Sequence, residues 1–204
     1  MKIGAAGRIA ASCIAAIALT GLAVQCIVVY RENSSILLTL WIVFAFFTIT
    51  TNLLVAVVFT SIASARSGLR ADWVVAGTML AILLVGVIYA LLLHGTTELS
   101  GGSAVANVLL HMVTPVLVPL FWIEFYRKGG LEWRHVLLWA IYPLAYLGYA
   151  LARGAATGRY AYPFLNVSVL GWQQTALNAI VIAIGFMLCG CAVIWLDRRA
   201  GLSR

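Results

Sequence analysis

A threonine hydroxyl becomes a useful nucleophile when a neighbouring base takes its proton, and imidazole titrates in the right range to do so. Residues 46–54 read FFTITTNLL and carry Thr48, Thr50, Thr51 and Asn52. At helical spacing Thr48, Thr51 and Asn52 share a face, while Thr50 points away. Residues 107–119 read NVLLHMVTPVLVP and hold His111, with Asn107 four residues before it and Thr114 three after, on the same face. Pro115 lacks the N–H that would bond the carbonyl of His111, so that carbonyl is expected to be freed, and Pro119 does the same to Pro115.

Two chemistries fit these stretches. Thr and Asn commonly hydrogen-bond across packed helices, and a buried histidine can be a structural partner in such a network. Alternatively, a hydroxyl and an imidazole inside lipid would suit attack on an ester that itself partitions into lipid. In that case a threonine of this face, Thr48 or Thr51, and His111 would be catalytic, and the other threonine, Asn52 and Asn107 would donate to the oxyanion or orient the histidine. Thr114 would line the substrate cavity. No buried Asp or Glu stands out as a third member. Glu124 falls near a helix end beside Arg127 and Lys128.

The elements that must position these groups are membrane helices. Of 204 residues, 64% are hydrophobic and 9% charged, whereas a soluble domain carries about a quarter charged residues. Six apolar runs stand out, over 9–30, 36–63, 73–93, 104–125, 136–152 and 175–196. Each is long enough, or nearly so, for the roughly 20 residues that a spanning helix needs. The fold expected is all-α, a polytopic membrane protein with a bundle of six transmembrane helices in one domain, 1–204. The first run follows Lys2 and Arg8, but it is too long for a signal h-region and has no convincing cleavage site near Gln25. It is expected as a retained helix.

With the N-terminus inside, the inner segments hold Lys2, Arg8, Arg66, Arg70, Arg127, Lys128, Arg134, Arg198, Arg199 and Arg204. The outer loops hold Arg31, Arg153 and Arg159. This bias places both termini in the cytoplasm, and an integral multi-pass membrane protein is expected. The net charge of +7 sits at helix ends, which suits anionic head groups and argues against nucleic acid. In this topology Thr48 lies about 18 Å below the start of its helix and His111 about 10 Å below the start of its own, at 1.5 Å per residue.

The connection before the last helix, 153–174, reads RGAATGRYAYPFLNVSVLGWQQ. Tyr160, Tyr162 and Phe164 would form an interfacial aromatic belt or a cap over the outer mouth of a cavity. SGGS at 100–103 marks a turn into the fourth helix. Cys13, Cys26, Cys189 and Cys191 fall within apolar runs and suggest packing, not a disulfide or a metal. No cofactor is expected.

Four stretches carry a resemblance: FFTITTNLL, LLHMVTPVLVPLFW, YPLAYLGYALARG and GRYAYPFLNV. They resemble bacterial members of the androgen-induced and androgen-dependent TFPI-regulating protein family, over approximately Trp41 to Gly171. The resemblance implies six spans with both termini cytoplasmic, in a bacterial inner membrane. It also implies hydrolysis of fatty acid esters of hydroxy fatty acids by a threonine nucleophile with a histidine partner. The histidine falls on His111. Thr48, within FTI, matches the family threonine, with Thr51 one turn away. The partners expected are therefore the bilayer and a lipid ester. The alternative from another class is a non-catalytic transporter or lipid-binding protein that uses the same polar cavity.

Overall fold

The computed structural model describes residues 3–64, 71–96 and 98–202. Lys2, Arg66, Arg70 and Arg204, which entered the orientation count, lie outside the described residues. The chain is all-α: every regular element among the described residues is helical. In order these are α1 (Ala5–Asn33), α2 (Ile36–Val43), α3 (Phe47–Ala63), α4 (Asp72–Ile88), α5 (Gly101–Val108), α6 (Thr114–Phe125), α7 (Arg134–Thr157) and α8 (Val167–Leu202). A turn of π-helix, Tyr89–Leu93, extends α4, and a second, Leu109–Val113, joins α5 to α6. Five helical stretches are long and apolar enough to cross a membrane, and a sixth crossing is complete if α2 and α3 are one bent span. These helices fit a multi-pass membrane protein.

The run over 36–63, expected as one helix, is two helices bent by 96°. No proline or glycine stands at the break. Phe44, Phe46 and Phe47 surround it, and aromatic side chains lose rotamer freedom against the preceding helical turn. Ala45 N–H bonds Ile42 and Phe46 N–H bonds Val43, closing α2 tightly, and Phe46 then takes an extended conformation that opens α3. Packing gives the reason. Val43 and Ile49 are buried in one cluster with Val29, Ala106 and Leu110. On a straight helix two residues six apart would point about 120° away from each other. The break brings both to the same cluster.

Contacts divide the chain into two compact units, Met1–Arg127 and Lys128–Arg204. In the first, α1 packs chiefly against α3. Its buried positions Gly7, Ala11, Ala15, Ala18 and Gly21 form a small-residue stripe of the kind that lets membrane helices approach closely. The Arg8 Nε donates to the carbonyl of Ala63 at 2.8 Å, so α3 ends where α1 begins. Gly7 also meets Phe125, and Gly102 meets Val28, so the span containing α5 and α6 runs alongside α1 in the opposite direction. The α2–α3 pair thus starts beside the end of α1 and finishes beside its start, which makes it one crossing.

In the second unit α7 ends at Gly158 in the left-handed region (φ 69°). A short 3-10 turn, Pro163–Leu165, follows, and α8 starts at Val167. The stretch 153–174, expected as a long loop, is thus mostly helical. Proline pre-sets the backbone of the 3-10 turn. The Asn166 Oδ1 then accepts from Ser168 N–H, a local bond that starts the next helix. Gly171 (φ 74°, ψ 166°) kinks α8 four residues later.

Candidate functional site

The break at 44–46 makes Thr48 the second residue of α3. From there its hydroxyl meets the imidazole of His111, with Oγ1 3.1 Å from Nε2. The other ring nitrogen, Nδ1, lies 3.3 Å from the carbonyl oxygen of Asn107. A carbonyl can only accept, so Nδ1 carries the proton in that bond. In the neutral ring Nε2 is then the acceptor, and Thr48 donates to it. This is the tautomer that a general base needs. The bend also removes the depth mismatch between the two residues, because α2 runs nearly perpendicular to α3 and adds little rise along it.

His111 is the central residue of the π turn Leu109–Val113. Such turns are rare and appear mostly as single bulges, frequently at functional sites. The bulge also moves the consequence of Pro115. In α-helical register Pro115 would leave the carbonyl of His111 without its donor, which was the expectation. Here Thr114 N–H bonds the carbonyl of Leu109, five residues back. The carbonyl opposite Pro115 is therefore that of Leu110. Asn52 supplies the missing donor, its Nδ2 lying 3.1 Å from Leu110 O and 2.9 Å from Thr48 O. Its Oδ1 accepts from the Thr114 hydroxyl at 2.7 Å.

These contacts sort the expected residues. Thr48 and His111 meet directly. Asn107 orients His111 through its main-chain carbonyl. Asn52 and Thr114, both 0% exposed, tie α3 to the bulge, so Thr114 sits in a buried hydrogen-bond network. Thr51 lies three residues beyond Thr48 and is fully buried. Thr48 itself is 6% exposed, which leaves it close to sealed. Gly86 allows α4 to come this near. A Cβ there would stand 2.8 Å from the Cβ of Pro115 and 3.7 Å from the carbonyl oxygen of His111.

Tyr89, not singled out from sequence, joins the site. Its ring lies over that of His111, with centroids 4.7 Å apart and planes tilted by 32°. Its hydroxyl accepts from the side-chain amide of Asn107 at 2.7 Å. A tyrosine near the end of an apolar run reads as an interfacial anchor. The signal that could have found it was Asn107, an amide at membrane depth in need of a partner.

Tyr160, Tyr162 and Phe164 belong to the second unit. Tyr160 covers Gly154, where a Cβ would overlap its ring. Tyr162 is buried and stacks on Phe164, with centroids 5.1 Å apart at 11°. The carbonyl of Phe164 accepts from Asn178 Nδ2 at 3.0 Å. Also in this unit, and missed within a run of charged residues, Asp197 is 1% exposed, and its Oδ2 accepts from Gly129 N–H at 2.8 Å and Leu131 N–H at 2.9 Å.

Among the described residues no three His, Cys, Asp or Glu side chains are placed to hold a metal ion. The chemistry within reach is a hydroxyl activated by an oriented imidazole. In comparisons with known proteins, no family model, no curated protein and no solved structure matches the chain.

Proposed function

We propose that this chain is an intramembrane lipid-ester hydrolase with Thr48 as nucleophile and His111 as general base. The observation that carries the proposal is the 3.1 Å contact between Thr48 Oγ1 and His111 Nε2, together with the Asn107 carbonyl that sets the tautomer. As the Thr48 oxygen bonds to the ester carbonyl carbon, its proton passes to Nε2. The tetrahedral oxyanion collapses, the bond to the alkoxy oxygen breaks, and the imidazolium protonates the leaving alkoxide. Water then attacks the threonine ester, giving a proton to His111, and the acid leaves as Thr48 recovers its hydroxyl.

The position of Thr48 supports the same reading. The N-terminal end of a helix favours negative charge. An oxyanion formed by attack from the second residue of α3 would develop in the field of that end, where Ile49 and Thr50 N–H are already bonded to the carbonyl of Phe46. The Asn52 amide already donates to Thr48 O and Leu110 O, so its part is to hold the backbone under the nucleophile. The substrate class, fatty acid esters of hydroxy fatty acids or similar lipids, follows from the resemblance of the four sequence stretches. Both termini in the cytoplasm follow from the charge bias, and a bacterial inner membrane follows from the resemblance to bacterial family members.

The test is labelling of detergent-purified protein by a fluorophosphonate probe, with the adduct located by mass spectrometry. Labelling of Thr48 that is lost in His111→Ala is expected. Labelling of Thr51 would keep the hydrolase and move the nucleophile. No labelling and no cleavage of any lipid ester would overturn the proposal in favour of a transporter or lipid-binding protein.

A further inference from the structure

An imidazole that must accept a proton from one fixed direction needs its plane held as well as its two nitrogens. The bonds from His111 to Thr48 and to Asn107 O, at 3.1 and 3.3 Å, act at the two ring nitrogens. Rotation about Cα–Cβ or Cβ–Cγ would break both. The 3.3 Å bond is also long for an N–H···O contact. Another element, packed on the ring face, must oppose that rotation.

We infer that Tyr89 is that element, a positioning residue for His111. Its ring covers one imidazole face at 4.7 Å between centroids. Its hydroxyl is fastened by the Asn107 side-chain amide at 2.7 Å. The same residue thus holds both rings, His111 through its main-chain carbonyl and Tyr89 through its side chain. The two contacts of Tyr89, ring to His111 and hydroxyl to Asn107, are not ones that helical spacing alone would create, because Tyr89 comes from a different span. Tyr89 begins the π turn 89–93, in which His94 N–H bonds the carbonyl of Tyr89 at 2.7 Å, so the two facing rings both stand on π turns. An aromatic face is also electrostatically suited to a cationic ring. Tyr89 would therefore favour the imidazolium that forms when Thr48 loses its proton. The role rests on the hydrolase proposal for its catalytic meaning, but the orientation of His111 can be read without any substrate.

The experiment is 15N NMR of the full chain in detergent micelles, with histidine nitrogens labelled and the His111 signals assigned by their loss in His111→Gln. At a pH where the ring is neutral, wild type is expected to show one tautomer, with Nδ1 protonated. Tyr89→Leu is expected to mix the two tautomers and to lower kcat for a cleaved lipid ester at least tenfold while KM changes less than twofold. Tyr89→Phe retains the ring face and loses the link to Asn107, so it is expected to fall between the two, and it keeps the test valid if the leucine variant does not fold. Unchanged His111 signals and kcat in the variants would overturn the role of Tyr89. Tautomer mixing in the variants, combined with a wild type that cleaves no ester, would uphold the positioning of His111 and overturn the hydrolase.

Discussion

The side-chain amide of Asn52 donates to the main-chain carbonyl of Leu110 at 3.1 Å, in the place where Pro115 has no N–H to give. Asn52 is 0% exposed and also bonds Thr48 O and the Thr114 hydroxyl. In Asn52→Leu the Thr114 hydroxyl can still turn to the Leu110 carbonyl, 3.3 Å away, so that carbonyl keeps one donor. Roughly 1–3 kcal/mol of destabilisation is expected from the lost amide bonds. Thermal unfolding in micelles would measure it, and Thr114→Val added to Asn52→Leu should then leave the Leu110 carbonyl without a donor and cost about 1–3 kcal/mol more.

Thr48→Val should separate function from fold. It removes one hydroxyl at a 6% exposed position and keeps its shape, so stability is expected to change by about 1 kcal/mol or less. Ester cleavage, by contrast, is expected to disappear. His111→Gln should lower the rate by about 10²–10⁴, the usual contribution of a general base. Rates measured beside unfolding curves would expose a variant that fails merely by misfolding.

Gly86 is a test of how closely α4 must approach the bulge. The Cβ of Gly86→Ala would stand 2.8 Å from Pro115 Cβ, and a proline ring has no free rotamer with which to move aside. About 1–3 kcal/mol is expected to be lost, as for other overpacked interfaces. The variant should also lower activity more than Thr39→Val does, because Tyr89 lies at the end of the same span.

Thr39→Val is expected to be stabilising. The Thr39 hydroxyl on α2 is 4% exposed and its oxygen has no hydrogen-bond partner among the described residues. Valine has the same shape without the polar group, so a gain of about 1 kcal/mol is expected. A lower unfolding temperature in this variant would contradict the packing of α2 described above.

In the second unit, Asp197 clamps the backbone at 129 and 131 by one oxygen. Asp197→Ala would leave both N–H groups without their acceptor, at a cost of about 2–4 kcal/mol. Trypsin cleavage after Lys128 should accelerate in the variant. Asp197→Asn keeps a carbonyl oxygen and should show a smaller effect.

The membrane class was legible because it depends on composition and run length alone. The pairing of Thr48 with His111 was legible too, as one of two readings of a polar cluster at depth. Asn52 was legible as a polar group on the right face, but not as the partner of Leu110. That role follows from the register of the bulge, which shifts the gap left by Pro115 by one residue and cannot be read from helical spacing. Asp197 was hidden because a charge in a run of charges looks solvated, and burial is decided by what folds over it.

What the sequence by itself determined was the solvent of each segment. Hydropathy over twenty residues is a local sum, and the bilayer reads it almost without regard to neighbours. The tertiary structure alone decided the break in 36–63, the π turns and the approach of Tyr89. Each of these depends on a contact between residues from different spans. The α2–α3 bend pays off only once Val43 and Ile49 find Leu110 and Val29, and the imidazole gains its orientation only when the ring of Tyr89, from another span, arrives at its face.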